Sequence, residues 1–370
     1  MNNKINIGFI YDNDTWLGGK KYLENLIRSL VFLKKFNIFL ITGNKQINLN
    51  VNNINIIQTN LVKKKNFLYL LRRFVKKFLK KDFILEYFLI YKKIDILSHS
   101  GIIGENSKIT CIPWIPDFQH HHLRKFFTDK EYFSRENEFL EYAKYGDKII
   151  VSCEHAKKVF KKRYNFAKKK SVVLNYRIFK KNNFLKKNKN LSNFFFVPNQ
   201  FWIHKNHNLI LEALKLDKNK NNIKIIFTGP TSDHRFPKYF NTLMEKINSN
   251  KFLKKNIQYL GLVSEKKLAS LFNNCVAVIN PSFYEGWNTG VEEAHYNGKI
   301  TIVSRLPVHL EQNLGHSYIF NKNNPKELLN CIINVIKKKK KLNKEKKIIK
   351  KKYDNSYDDY FKKLINIYSF

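Results

Sequence analysis

Short apolar runs alternate along this chain with longer segments of helical periodicity. Residues 5–10, 37–42, 94–98 and 148–152 read as buried strands. After the first of them, Leu23, Leu26, Ile27, Leu30 and Leu33 recur on one side of a helix over residues 23–33, with residues 16–22 as a loop before it. A second series begins near residue 190. It predicts strands at 194–197, 223–228, 257–260, 276–279 and 300–304, with helices at 209–216 and 266–272. Strand and helix alternating in this way mark a doubly wound α/β fold. Two such series imply two Rossmann-like domains, joined near residue 185 through the polar, lysine-rich segment 178–193. The boundaries expected are 1–185 and 186–345, with 346–370 as a C-terminal helix that crosses back to the first domain.

Composition narrows this picture only a little. Hydrophobic residues make up 43% of the 370, enough for two real cores. No run is long and apolar enough to predict a membrane-spanning helix, and the start reads as a first strand rather than a signal peptide. The four cysteines, Cys111, Cys153, Cys275 and Cys331, are scattered and suit the core of a reduced, cytoplasmic protein.

Charge changes it more. Lys and Arg number 69 against 29 Asp and Glu, a net charge of +40. Lysine is spread over the whole length, so three causes stand open: an AT-rich coding sequence, attraction to an anionic membrane surface, or nucleic acid. Residues 63–81 sharpen the second. Phe67, Leu71, Phe74 and Phe78 recur at helical spacing, with Lys and Arg filling the opposite face. An ordinary helix packed on the first domain fits the same pattern. A lysine run, 337–341, and an aromatic, weakly amphipathic end, 353–370, close the chain.

The densest chemistry lies after the apolar run 276–279, in the segment that opens with Asn280, Pro281 and Ser282 and runs to Ala294. A polar loop there leads into a helix and then into the strand 300–304, so it sits at the carboxyl end of a strand, where open parallel sheets bind ligands. Glu285 and Glu293 are separated by seven residues. If the whole stretch were helical they would stand about 12 Å apart along its axis. Thr289 with Glu292 instead matches a capping box, and Gly298 a helix stop, so the helix starts near Gly290 and Glu285 stays in the loop. Backbone N–H groups at that start can bind an anion or a sugar hydroxyl. No G-x-G-x-x-G fingerprint accompanies the strands, and Gly18-Gly19 does not supply one.

The Glu285–Glu293 pattern, with Pro-Ser ahead of it and Gly298 behind, resembles the signature of retaining glycosyltransferases of family 4, which have the GT-B fold. The resemblance covers roughly residues 5–336. It implies an α/β chain of two Rossmann-like domains facing across a cleft, an acceptor side in the first and a nucleotide-sugar donor side in the second. It implies further that Lys205 holds the donor diphosphate. Gln200 stands where relatives carry an arginine. Glu285, Gly286, Trp287, Asn288 and Thr289 would orient the sugar, and Glu293 the ribose. Gly229 and the segment around Val263 would border the nucleotide. In the first domain the resemblance sets Gly18 and Gly19 near donor phosphate, and Asp117 and His120 near the transferred sugar or acceptor; Pro116 takes the place where many relatives have a histidine.

The implied activity is transfer of a sugar, with retention, to a hydroxyl of a glycan or lipid-linked acceptor in cell-surface polysaccharide or glycolipid synthesis. No metal or other cofactor is expected. The three consecutive histidines, 120–122, are read as diverging and carry no metal-ligand spacing. The site would be cytoplasmic, with an anionic membrane surface as a candidate partner and no specific nucleic acid. The alternatives are a basic nucleic-acid-binding protein, which predicts exposed aromatics interleaved with cations, and a catalytically inactive nucleotide-sugar binder. A glycosidase would need two carboxylates across one bond, which the Rossmann pattern and Lys205 disfavour.

Overall fold

A computed structural model describes residues 4–12, 17–179, 194–217, 221–338 and 342–369. Of the expected linker 178–193, residues 180–193 lie outside the described residues, as do 13–16 and the lysines 339–341. The chain divides into two units, Met1–Phe179 with Asp358–Phe370, and Lys180–Tyr357.

The N-terminal unit is built on β1 (Ile5–Ile10), β2 (Phe36–Thr42), β3 (Asn55–Gln58), β4 (Ile96–Ser98) and β5 (Thr110–Ile112), all parallel, in the order β3-β2-β1-β4-β5. Pro113 separates β5 from β6 (Trp114–Ile115), which pairs with β7 (Ile149–Val151) and, through it, with β8 (Ser171–Val173). The first helix runs Leu17–Phe32, so Gly18 and Gly19 lie in its opening turn rather than in a loop. A glycine pair is poor helix material. Here Tyr22, Leu26, Ile27 and Leu30 are buried, and that packing outweighs the local preference.

The C-terminal unit is one six-stranded parallel sheet: β9 (Phe194–Pro198), β10 (Lys224–Thr228), β11 (Ile257–Tyr259), β12 (Ala277–Asn280), β13 (Ile300–Ser304) and β14 (Ser317–Phe320). Their order, β11-β10-β9-β12-β13-β14, is that of a doubly wound Rossmann sheet. The run Phe194-Phe195-Phe196-Val197 shows why such strands read as continuous apolar stretches. Phe195 and Val197 join a core with Ile225, Phe227 and Ile279 on one face. Phe194 and Phe196 join Phe272, Val278 and Ala294 on the other. The helix His207–Lys215 buries Leu209, Ile210, Ala213 and Leu214 against the first of these cores.

The tail is two helices rather than one. Leu342–Asn355 belongs to the C-terminal unit, where Ile349 enters the core and Tyr353 packs 5.8 Å from Tyr296. Tyr357–Tyr368 follows, and from Asp358 onward it belongs to the N-terminal unit. There Tyr368 Oη is 2.7 Å from Ser98 Oγ, and Lys148 Nζ donates to the Ile367 carbonyl at 2.7 Å. No described helix is long and apolar enough to cross a membrane.

Candidate active site in the C-terminal unit

The strand order reverses between β9 and β12, because β9 connects onward to β10 on its far side. Ligands of open α/β sheets bind outside the carboxyl ends at such a point. Asn280 Nδ2 donates to Asn199 Oδ1 at 3.1 Å and ties the two strand ends together, both residues being buried. Gly229, just after β10, has φ +141°, and a Cβ there would lie 2.3 Å from the Asn199 carbonyl oxygen. Only glycine lets the neighbouring backbones approach this closely.

Two loops leave this edge. After β9 the chain turns through Ile203–Lys205 into Asn206, which adopts a left-handed conformation (φ 56°). Asn206 Nδ2 donates to the carbonyls of Pro281 and Lys322, and Phe283 N donates to the His204 carbonyl. The loop after β9 is thereby laced to the loop after β12. Across that lacing Lys205 Nζ meets both carboxylate oxygens of Glu285, at 2.7 and 2.9 Å. Ser282 Oγ lies 2.5 Å from Glu285 Oε1 and 2.7 Å from Asn280 Oδ1. Its single proton is best given to the charged acceptor.

The helix Thr289–Tyr296 begins directly after these residues. Its N-cap is Asn288, not Thr289: Asn288 Oδ1 accepts from Val291 N at 3.1 Å. The expected capping box is not formed. Glu292 is buried and accepts from Trp287 Nε1 at 3.1 Å. Asn288 is held from the far side by the helix Pro307–Gln312. Gln312 Nε2 donates to its carbonyl, and Asn288 Nδ2 stands 3.3 Å from His309 Nε2. His309 Nδ1 lies 2.8 Å from the Ser304 carbonyl, which sets that nitrogen as the donor and Nε2 as the acceptor. Burial lowers the His309 pKa, although Glu285 and the Ser304 carbonyl act the other way.

Of the residues expected at the donor site, Lys205, Glu285, Gly286, Trp287, Asn288 and Thr289 therefore gather at one sheet edge beside one helix start. Gly229 ends β10 at the same edge. Glu293 is half-buried on that helix, about 6 Å along its axis from Thr289. Gln200 is half-buried after β9, and Val263 packs partly against the Phe194–Phe196 face. Sequence reasoning missed two cations here. Lys322 Nζ donates to the Phe283 carbonyl at 3.1 Å. Arg235, in the loop after β10, lies over Trp202 at 5.4 Å. Burial, with the charges of Lys205, Arg235 and His207, holds His204 well below the ordinary imidazole range. Arg235 follows the turn made by Gly229, and that position was the one available signal.

The N-terminal candidates are committed to other partners. Asp117 Oδ1 accepts from Arg135 Nη2 and from Gln119 N, each at 2.8 Å. Burial alone would raise the Asp117 pKa, but Arg135 and that N–H hold it below the usual carboxylate range. His120 is fully buried, its Nε2 2.8 Å from Glu136 Oε1. Burial and Arg135 push its pKa down to about 4. The consecutive histidines do not diverge as expected. The short helix Gln119–His122 brings the rings of His120 and His121 to 4.2 Å, and His121 Nε2 also reaches Glu136 Oε1, at 2.5 Å. These three are a group among the described residues able to hold a metal ion. Arg163 already pairs with the other Glu136 oxygen.

The family described as Glycosyl transferases group 1 matches residues 178–354, which contain every element of this edge. Solved structures share the fold over nearly the whole chain. A glycosyltransferase of Rickettsia africae superposes with a TM-score of 0.73 at 15% identity, covering 99% of this chain and 98% of that one. HepE of Anabaena, in complex with UDP and glucose, gives 0.71 at 12%, covering 98% and 99%. Sucrose-phosphate synthase of Thermosynechococcus elongatus gives 0.70 at 12%, covering 99% and 98%. No curated protein sequence matches. The group 1 match thus spans the unit that carries Lys205 and Glu285, just under half of the chain, on a fold shared end to end with solved glycosyltransferases.

Proposed function

We propose that the chain is a retaining glycosyltransferase that moves a sugar from a nucleotide-sugar to a hydroxyl of a glycan or lipid-linked acceptor, in cell-surface polysaccharide or glycolipid synthesis at the inner face of the cytoplasmic membrane. The observation that carries the reading is the Lys205–Glu285 pair at the carboxyl edge of β9 and β12, directly ahead of a helix start. A donor diphosphate competes for Lys205 with a charge equal to or greater than that of Glu285, and N–H groups of the helix's first turn supply further donors. Released from Lys205, Glu285 accepts hydrogen bonds from sugar hydroxyls. Glu293 does the same for the ribose. The bond from the anomeric carbon to the diphosphate oxygen breaks, and the acceptor oxygen bonds that carbon on the same face. The acceptor's proton passes to the departing phosphate. Charge on the leaving group is then stabilised electrostatically by Lys205 and the helix start, and no step calls for a metal ion.

UDP-sugars are the first donors to test, since HepE is named with UDP and glucose. The test is thermal unfolding with UDP, GDP, ADP and CMP, on the native chain and on Glu293→Ala. A nucleotide at a hundred times its Kd adds about 2.7 kcal/mol, a shift of a few degrees in Tm. One nucleotide should stabilise the native chain and fail on the variant. Stabilisation by none of the four, with stabilisation by RNA at low salt, removes the chemical basis of the reading. Donor binding without turnover on any acceptor points to an inactive binder.

A further inference from the structure

The helix Phe67–Leu79 is mounted inside out. Its one buried residue is Arg72. Phe67, Phe74 and Phe78 are 73%, 61% and 66% exposed, with Leu70, Leu71 and Leu79 beside them. The inward face carries Arg72 and Lys76, with Tyr69 and Val75 half-buried beside them. Arg72 Nε stands 3.5 Å from buried Asp82, and Lys76 Nζ donates to the Ile102 carbonyl at 2.8 Å. Arg72 Nε and Nη1 find no hydrogen-bond partner there. Turning the helix half a revolution would bury a phenylalanine stripe and release a costly arginine, so the observed orientation runs against the interest of the fold taken alone. The next helix, Phe83–Tyr91, continues the pattern, with Tyr87 76% and Tyr91 70% exposed and Phe83 and Ile90 close by. An outward apolar surface of this extent on a soluble unit marks a binding face.

Charge tells what binds it. Between Asn60 and Lys81 the chain has nine Lys and Arg and no Asp or Glu. Beside the stripe lies a groove of about 780 Å³, lined by Arg73, Lys77, Lys80 and Lys144, with Glu141 as its acid. Aromatic side chains on an apolar face, flanked by cations at headgroup depth, are the arrangement of an interfacial helix.

We propose that the outward faces of Phe67–Leu79 and Phe83–Tyr91 dock on an anionic phospholipid bilayer, with the phenylalanines entering the acyl boundary and the adjacent cationic groove taking lipid phosphates. A membrane-held chain would meet a lipid-linked acceptor in two dimensions rather than three. The surface is separate from the edge of β9 and β12, so vesicle binding and sugar transfer fail independently.

The experiment is co-sedimentation of the full chain with vesicles of phosphatidylcholine, alone or with one-third phosphatidylglycerol. Phe74→Ser/Phe78→Ser removes the centre of the stripe from exposed positions, and its melting transition reports whether the fold survives. Arg73→Gln/Lys77→Gln tests the groove. Lys254→Gln/Lys255→Gln removes equal charge from the C-terminal unit. The native chain should prefer the anionic vesicles by at least about tenfold, and the phenylalanine variant should lose about tenfold in binding at either composition. Arg73→Gln/Lys77→Gln should lose the anionic preference, and Lys254→Gln/Lys255→Gln should keep it. Equal losses in the two charge variants, or full binding by the phenylalanine variant, overturn the proposal. So does a dimer of the native chain that ignores vesicles and becomes monomeric in Phe74→Ser/Phe78→Ser, since the face would then belong to a second copy.

Discussion

The side chains of Lys205 and Glu285 are 15% and 6% exposed and form an ion pair through both carboxylate oxygens. Removing one leaves a buried charge uncompensated, whereas removing both does not. Lys205→Ala should therefore lower stability by about 2–3 kcal/mol, and Lys205→Ala/Glu285→Gln should recover most of it, read from urea unfolding. Turnover of a nucleotide-sugar should stay at least about a hundredfold down in both. A double variant that regains activity along with stability would mean the pair is structural only. Glu285 stood out in the sequence through its spacing from Glu293 in a loop after a predicted strand, and Lys205 through the resemblance of its loop to that of the glycosyltransferase family. That they touch was not legible, since 80 positions separate them. Lys322 and His309 were missed for the same reason, each joining this edge from an element with no local signal of it, and Arg235 carried only its place after the Gly229 turn.

At the scale of the element, the helix after Glu285 shows how far local rules reach. Asn288 and Thr289 are both good caps, and the sequence favours Thr289 through Glu292. The structure chooses Asn288 because His309 and Gln312 anchor it from outside the helix, while Glu292 turns to Trp287. Asn288→Ala should cost about 1–2 kcal/mol and Thr289→Ala less than about 0.5, by denaturant midpoint. Equal costs would return the cap to Thr289. The first helix shows the opposite weighting, its glycine pair drawn into helix by packing from Tyr22 onward. For Phe67–Leu79 the periodicity revealed two faces but not which one meets the protein.

At the scale of the whole molecule, each unit conceals a neutral histidine. His99 follows β4 in the N-terminal unit, and His207 opens a helix in the C-terminal one; burial pushes both down to about 3. A depressed folded-state pKa means that the folded chain excludes a proton the unfolded chain accepts near pH 6.5. The stability so held is complete above that value and is lost as pH falls toward 3. At pH 5.5 each of these two histidines should have cost its unit about 1.4 kcal/mol, in addition to what other depressed histidines, among them His120, His204 and His309, contribute in the same direction. Tm should thus drop between pH 7.5 and 5.5. Neither nitrogen of His207 has a hydrogen-bond partner, and its ring stacks on Phe201 at 4.4 Å. His207→Phe should flatten the slope of the C-terminal unit, and an unchanged slope would discount the burial argument.

The sequence by itself determined the α/β class, the two series of strands and the loop chemistry around Lys205 and Glu285, because hydrophobic period and turn residues act over a few neighbours. The strands β3, β5, β6, β8 and β14 escaped it. Only the tertiary structure decided the strand order that brings β9 beside β12, the partner each charged side chain meets, and the outward turn of Phe67–Leu79. Those outcomes depend on contacts between distant segments, where the free energy of burying one group is set by what another part of the chain offers it.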